Sequence, residues 1–325
     1  MLLNIIIVNY RTPKLVIDCL HSLVPEVEKH TTVITVVDNS SGDDSLHKIN
    51  KAIGENKWSS LVKVIESPDN GGFSAGNNIG IKSVEADAYL LLNSDTIVRP
   101  GAINSLLQAM EAYPDVGLFS PRLEWPDGTP QISCFRYHSP VSELINSAAT
   151  GVITRLLAKY NVPLPVSDQP FEPQWTSFAC VLIRHKVIEQ LGFMNEGYFM
   201  YFDDVDYCRR AQNAGWRILH FPESKVVHLR GGSGSVKADI ASRKRPKNYL
   251  YASRTRYFTK FYGSAGILIA NMFWLLGRGV SLFRELVNNK QPHLCQYEIL
   301  DIWYNWQHPM KPFLLTKVEF DESKT

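Results

Sequence analysis

Asp95 closes a short apolar run and is the first position where this chain can do chemistry. Ala88 to Leu92 reads as a buried strand, and Asn93, Ser94, Asp95 and Thr96 follow at once. A continuous run of this length, ended by small polar residues, suits a parallel strand covered on both faces. Ligands in open α/β sheets sit just beyond the carboxyl ends of such strands. A carboxylate there can hold a divalent cation against a phosphate, or simply cap the turn. A second acid, Asp38, ends the apolar run Thr32 to Val37 and precedes Asn39, Ser40, Ser41 and Gly42. It can accept hydrogen bonds from a nucleobase or a ribose, and equally well form an Asx turn.

A denser cluster lies further on. Phe199, Met200, Tyr201 and Phe202 lead into Asp203, Asp204 and Asp206, then a helix that ends near Gly215. The helix dipole favours acids in a first turn. A carboxylate against an aromatic wall is also partly desolvated, which raises its pKa and suits a general base. Asp203 and Asp206 share a face, whereas Asp204 points elsewhere and can reach into a cleft. His228 follows the strand Lys225 to Val227 and precedes the glycine-rich stretch Gly231 to Ser235. Imidazole is a common ligand of divalent metals, although a lone histidine is more often structural.

The elements that must position these groups alternate strand and helix. Strand one ends at Asn9, Tyr10 and Arg11, and Thr12-Pro13 opens a helix to about Leu23 with good cap chemistry. A third strand around Leu61 to Ile65 leads into Asn70, Gly71, Gly72, Phe73 and on to Asn77 and Asn78. Two glycines before a helix allow close backbone approach to a ligand. The run is neither a dinucleotide fingerprint nor a Walker loop. Pro100-Gly101 starts another helix, and Val116 to Ser120 is a fifth strand. The expected class is α/β, with a doubly wound, mostly parallel central sheet whose strand ends line one edge.

Residues 122–174 are harder to read: Val141 to Tyr160 has a helical apolar face, and a proline-rich loop follows. Trp175 to Arg184 reads as one strand. With 325 residues, 45% of them hydrophobic, the chain can bury a large core. A net charge of +2 and the lack of any binding-module signature give no reason to expect nucleic acid. Five dispersed cysteines without a C-x-x-C pair fit a reducing compartment. The apolar start lacks a basic region and a cleavage site, so it reads as a strand rather than a signal peptide.

Together these residues resemble the family 2 glycosyltransferases of GT-A fold, and within them the rhamnosyltransferase-like branch of bacterial polysaccharide assembly. The matching stretches are Ile7 to Tyr10, Val37 to Ser40, Asn70 to Asn78, Leu92 to Thr96, Tyr201 to Arg209, Gly215-Trp216 and His228 with its glycine loop. The resemblance implies an inverting, metal-dependent transfer of a sugar from a nucleotide donor. Asn9, Tyr10, Asp38, Asn70, Gly71, Gly72, Asn77, Asn93, Ser94 and Asp95 would then bind the donor. Asp95 and His228 would hold Mg2+ or Mn2+, and Asp204 would deprotonate the acceptor hydroxyl. Trp175, Asp203 and Asp206 would support the acceptor. The usual D-x-D stands here as Asn93-Ser94-Asp95, with one carboxylate fewer. Phe178 occupies a position where glycine is frequent, and its ring is expected to crowd the sugar. The resemblance makes dTDP-rhamnose the first donor and a UDP-sugar the second, with a glycan or polyprenyl-diphosphate-linked glycan as acceptor. A sugar nucleotidyltransferase would need a glycine-rich, Arg-containing loop after strand one, which Asn9 to Thr12 do not supply. A glycoside hydrolase would not need nucleotide-binding strand ends, and a catalytically silent scaffold would not need Asp95, Asp204 and His228 together.

Residues 1–240 thus form the expected catalytic domain, divided near 121, and 241–325 a basic, amphipathic extension. In it Arg243, Lys244, Arg245, Lys247, Arg254, Arg256 and Lys260 alternate with aromatic residues, and the apolar run Gly266 to Gly277 follows. The run is too short to span a bilayer but suits an interfacial helix on an anionic leaflet; a buried core helix is the alternative. The expectation is a cytoplasmic protein, peripheral on the inner face of the cell membrane, with the segment after Lys247 directing that association.

Overall fold

The computed structural model describes residues 1–231, 236–288 and 292–313. Strand and helix alternate through β1 (Leu3–Asn9), α1 (Pro13–Val27), β2 (Thr32–Asp38), α2 (Ser45–Glu55), β3 (Val62–Glu66), α3 (Gly72–Lys82) and β4 (Ala88–Leu92). A three-residue strand, β5 (Thr96–Val98), then precedes α4 (Ala102–Ala112) and β6 (Val116–Glu124). Strand periodicity explains how β1 builds two core layers at once. Ile5 and Ile7 face the cluster that holds Val16, Leu20 and Leu23 of α1, while Ile6 faces the opposite cluster with Leu91 and Val181.

The second half is more broken: β7 (Cys134–Phe135), α5 (Pro140–Ala148), α6 (Gly151–Leu156), β8 (Trp175–Thr176), β9 (Cys180–Arg184), α7 (His185–Leu191), α8 (Asp203–Asn213) and β10 (Arg217–His228). The expected helix Val141 to Tyr160 divides at Ala149, which turns left-handed (φ 45°) before Thr150 caps α6. The expected strand Trp175 to Arg184 is two strands in two sheets. β8 pairs with β7, and β9 enters the main sheet between β4 and β6.

The main sheet runs β3-β2-β1-β4-β9-β6-β10-β5. The first four strands are parallel, as the alternating pattern predicts. Beyond β4 the sheet is mixed, because β9 is antiparallel to both neighbours and β5 is antiparallel to β10. The carboxyl ends of β1, β2 and β4 therefore lie along one edge.

Helix α3 reaches this edge through its glycines. A Cβ on Gly76 would lie 2.8 Å from Val8 Cγ1, and one on Gly80 2.4 Å from Ile6 Cγ2, so the helix lies hard against β1. Gly72 has φ 85°, and a Cβ there would sit 2.0 Å from the Phe199 carbonyl oxygen.

After α9 (Val236–Ala241) comes α10 (Asn248–Asn288), bent at Gly263 (φ 72°), and then α11 (Glu298–Asp301). Of the basic cluster expected to face a membrane, Arg254 and Arg256 are buried and Lys260 is half-buried, whereas Arg243, Lys244 and Arg245 stay exposed. Arg254 pairs with Glu143 of α5 at 2.7 Å, Lys260 with Asp206 at 2.5 Å and Arg245 with Asp301 at 2.6 Å. Arg256 lies over the Tyr198 ring. Tyr257 and Phe258 are fully buried, so this half of α10 belongs to the core rather than to an appendage. Beyond the bend, Gly277 meets Ser147 and Leu144 of α5. The other face leaves Met272, Leu276, Phe283 and Leu286 exposed, the last at 82%. Residues 248–287 are long and apolar enough to cross a bilayer by length and composition alone, more than the run 266–277 suggests.

Gly72→Ala combines a left-handed backbone with a collision against fixed backbone, and is expected to destabilise the fold by at least about 2 kcal/mol in denaturant titration. Gly101→Ala, at φ 79° with open space around it, should cost only about 1 kcal/mol. Equal losses at the two sites would refute the close approach of Phe199.

Candidate active site

The strand-end edge is organised by hydrogen bonds before any ligand arrives. Asp38, 1% exposed, accepts from Asn9 Nδ2 (2.6 Å) and Ser41 Oγ (2.6 Å) at one oxygen and from the Ser41 amide (3.0 Å) at the other. The carboxylate thus builds the Asx-type turn, and Oδ2 keeps capacity for a further donor. Asn9 Oδ1 accepts from the Thr12 amide, and Thr12 Oγ1 lies 3.4 Å from Ser94 Oγ. This network joins the ends of β1, β2 and β4. Tyr10 is half-buried, with the Arg11 guanidinium 5.1 Å from its ring. Asn93 is half-buried at the same edge, its amide bonded to the Ala179 carbonyl.

Asp95 and His228 come together through backbone register. β5 pairs antiparallel with the end of β10, setting His228 opposite Thr96, and the Leu229 amide donates to the Asp95 carbonyl at 2.9 Å. The Asp95 carboxylate lies 3.4 Å from His228 Nε2, and both residues are buried. Gln131 Nε2 fixes the His228 carbonyl at 2.7 Å, and Arg230 bonds the same glutamine. A carboxylate and an imidazole facing each other are a suitable partial donor set for a divalent cation whose other ligands are diphosphate oxygens and water. Among the described residues no group of three or more His, Cys, Asp and Glu gathers as a protein-only metal site. Residues 232–235 of the glycine stretch lie outside the described residues.

The loop into α3 departs from its expected use. What approaches the Gly72 backbone is the chain itself, because Phe199 fills that space and the Phe73 amide donates to its carbonyl at 2.8 Å. Asn70 Oδ1 accepts from the Gly72 amide and from Asn39 Nδ2, Gly71 packs against Ala75, and Asn77 bonds the Phe73 carbonyl within its own helix. Asn78 bonds the Met194 backbone twice. These side chains shape the loop and dock it on residues 194–199.

That docked segment carries the acid cluster. Tyr201 (φ 67°) and Phe202 (φ 62°) are successive left-handed residues that turn the chain sharply into α8, a conformation that persists only where the surroundings enforce it. Asp206 is fully buried and structural, bonded by Tyr198, Arg210 and Lys260. Asp203 is also buried, 3.4 Å from Ser74 Oγ of α3. Asp204 projects differently: it lines a cavity of about 480 Å³ together with Trp175, Phe202 and His138. Burial raises its pKa well above the ordinary carboxylate range, and the Asp203 charge raises it further. Asp203 is raised as well, mainly by burial. Phe178 does not crowd this space; its ring is buried edge-on against Tyr207. Trp175 stacks on Phe135 at 4.2 Å, and its indole N–H donates to the Arg136 carbonyl.

Sequence reading missed Ser41, Ser74, His138 and the Glu143–Arg254 pair. Arg254 reads as one of a basic cluster facing a membrane, and nothing in the sequence marks its pairing with Glu143.

The family described as glycosyltransferase-like family 2 matches residues 3–246. A low-salt glycan biosynthesis hexosyltransferase of Haloferax volcanii is 28% identical over 84% of this chain and 85% of its own length. An N-acetylglucosaminyl-diphospho-decaprenol L-rhamnosyltransferase of Mycobacterium tuberculosis is 30% identical over 45% of this chain and 48% of its own. Among solved structures, GalNAc-T7 with UDP, GalNAc and Mn2+ superposes with a TM-score of 0.58 at 16% identity, covering 95% of this chain and 58% of that one. The strand order, the polar strand edge and the matched residues agree: the chain belongs to glycosyltransferase-like family 2 and has the GT-A fold.

Proposed function

We propose that this enzyme transfers a sugar, with inversion, from a nucleoside diphosphate donor to a hydroxyl of a glycan acceptor. The observation that carries the reading is Asp204, a carboxyl with raised pKa facing a cavity on a turn docked to the strand-end loop. In the reaction Asp204 takes the acceptor proton while the acceptor oxygen bonds to the anomeric carbon. The bond from that carbon to the diphosphate oxygen breaks as the new one forms, so the nucleoside diphosphate leaves from the opposite face. Asp38 Oδ2 accepts from the nucleobase or ribose, beside Tyr10. Asp95 and His228 would hold Mg2+ or Mn2+, which when bound offsets charge on the diphosphate. The name of the mycobacterial relative supports an L-rhamnose donor, first choice dTDP-rhamnose, and a lipid-linked glycan acceptor; a UDP-sugar is the second choice. The exposed apolar face of α10 supports peripheral binding to the cytoplasmic leaflet. The one acid of that helix, Glu285, is bonded to Arg278, so no bare carboxylate interrupts the face.

The deciding experiment is a donor panel, dTDP-rhamnose and UDP-sugars included, scored for release of nucleoside diphosphate with and without Mn2+. Metal-dependent release from one donor is expected, and Asp95→Asn should weaken metal dependence at least ten-fold; stability unchanged by every nucleotide would refute the reading. Asp204→Asn should lower kcat by a factor on the order of 10² to 10⁴ at unchanged donor KM. The wild-type rate should climb with pH through a limb above the usual carboxylate range, because a protonated Asp204 cannot accept a proton. A carboxyl whose folded pKa is raised stabilises less as pH rises through that value. The asparagine variant should therefore be the more stable protein at pH 8 and above, by roughly 1–2 kcal/mol. Leu276→Asp with Phe283→Asp should leave activity on soluble acceptors intact and abolish co-flotation with anionic vesicles; undiminished flotation would move the membrane contact elsewhere.

A further inference from the structure

The cavity beside Asp204 is completed by the C-terminal chain, and its wall chemistry is selective. One side is the catalytic turn, with Tyr201 and Phe202, and another is the aromatic pair His138 and Trp175. The floor is Glu143, Asn146 and Ser147 of α5. The rest of the lining is Tyr251, Arg254 and Trp274 of α10, His293 and Glu298, and aliphatic side chains that include Val205, Leu250 and Ile302.

Three carboxyl groups line this space, Asp204, Glu143 and Glu298, against one permanent cation, Arg254. That cation is already taken, since Arg254 bonds Glu143 (2.9 Å) and Asn271 (2.8 Å). Glu298 accepts from the Cys295 amide at 2.9 Å. The two histidines add no charge near neutrality. Burial, with Arg254 nearby, pushes His138 down to about 4, and burial also lowers His293. His138 Nδ1 and His293 Nε2 are buried and have no hydrogen-bond partner among the described residues. A buried ring nitrogen without a partner costs free energy unless a ligand supplies one. The walls thus offer carboxylates, neutral imidazoles and aromatic faces, and no free positive charge. The volume lies in the range of small-molecule sites, roughly 300–1,000 Å³.

We propose that this cavity is the acceptor subsite, and that it takes an uncharged, hydroxyl-rich sugar ring while rejecting sugars that carry a carboxylate or phosphate within it. Hydroxyls donate to Glu143 and Glu298 and pair with His138, while the apolar ring face lies against the aromatic wall. An anion would lose its water in a cavity whose one permanent cation is already paired with Glu143. Any phosphate of a lipid-linked acceptor therefore stays outside the cavity. The inference rests on the glycosyltransferase reading above but addresses a separate ligand.

The test is saturation-transfer NMR of the full-length chain with p-nitrophenyl β-D-glucopyranoside, p-nitrophenyl β-D-galactopyranoside and p-nitrophenyl β-D-glucuronide. At least one neutral probe should bind through its ring protons, and the glucuronide at least ten-fold more weakly. Glu298→Gln should narrow that ratio at least three-fold, and His138→Ala should weaken the neutral probe at least five-fold. Thermal stabilisation of both variants by nucleoside diphosphate should equal that of the wild type, which a general loss of folding would not allow. Binding of the glucuronide as tight as the glucoside, no binding of either neutral probe, or variants without effect would each overturn the proposal. Nucleotide stabilisation, read in the same samples, reports separately on the glycosyltransferase reading.

Discussion

The pairing of three residues of β5 with the last three of β10 is the constraint on which the rest of this molecule depends. Thr96, Ile97 and Val98 meet His228, Val227 and Val226 in antiparallel register. Because strand side chains alternate, a slip of one residue would turn His228 to the opposite face of the sheet and remove it from Asp95. The pairing also forms one edge of the main sheet, tying the chain that follows β4 to β10. Both members of the Asp95–His228 contact are buried, so their approach is enforced by the sheet rather than by side-chain choice.

A second contact does comparable work for Asp204. Phe199 occupies the space that Gly72 leaves empty, and its carbonyl accepts from the Phe73 amide. Asn78 grips Met194, and Ser74 reaches Asp203. The helix that opens at the strand-end edge and the turn that carries Asp204 are thereby one mechanical unit. The left-handed pair Tyr201 and Phe202 depends on this support. Glycine is used here for chain-on-chain approach, where the same residue pattern equally fits a loop wrapped on phosphate.

The C-terminal helix shows how composition can mislead about direction. A run of arginines and tyrosines has the look of a surface for anionic lipid, and an arginine can serve equally as a buried tie. Arg254, Lys260 and Arg245 each meet an acid that lies far away in sequence, and those acids decide the orientation. Arg254 and Arg256 became core and cavity wall while Arg243 to Arg245 stayed exposed, and the exposed apolar face fell beyond the bend at Gly263.

By itself the sequence determined the alternating strands and helices, the polar ends of β1, β2 and β4, and the family to which the acids and the histidine belong. These are local signals: apolar run length, cap residues, turn formers and motif spacing, all of which survive in one dimension. Only the tertiary structure decided that β9 runs antiparallel, that Asp206 is a buried ion-pair partner while Asp204 faces a cavity, and that Phe178 packs away from it. Helix spacing and the family resemblance already set Asp204 apart from Asp203 and Asp206, but not what each acid packs against. Burial against Lys260 and Arg210, or a place on the cavity beside Trp175, arises from segments distant in the chain, and only folding brings those segments together.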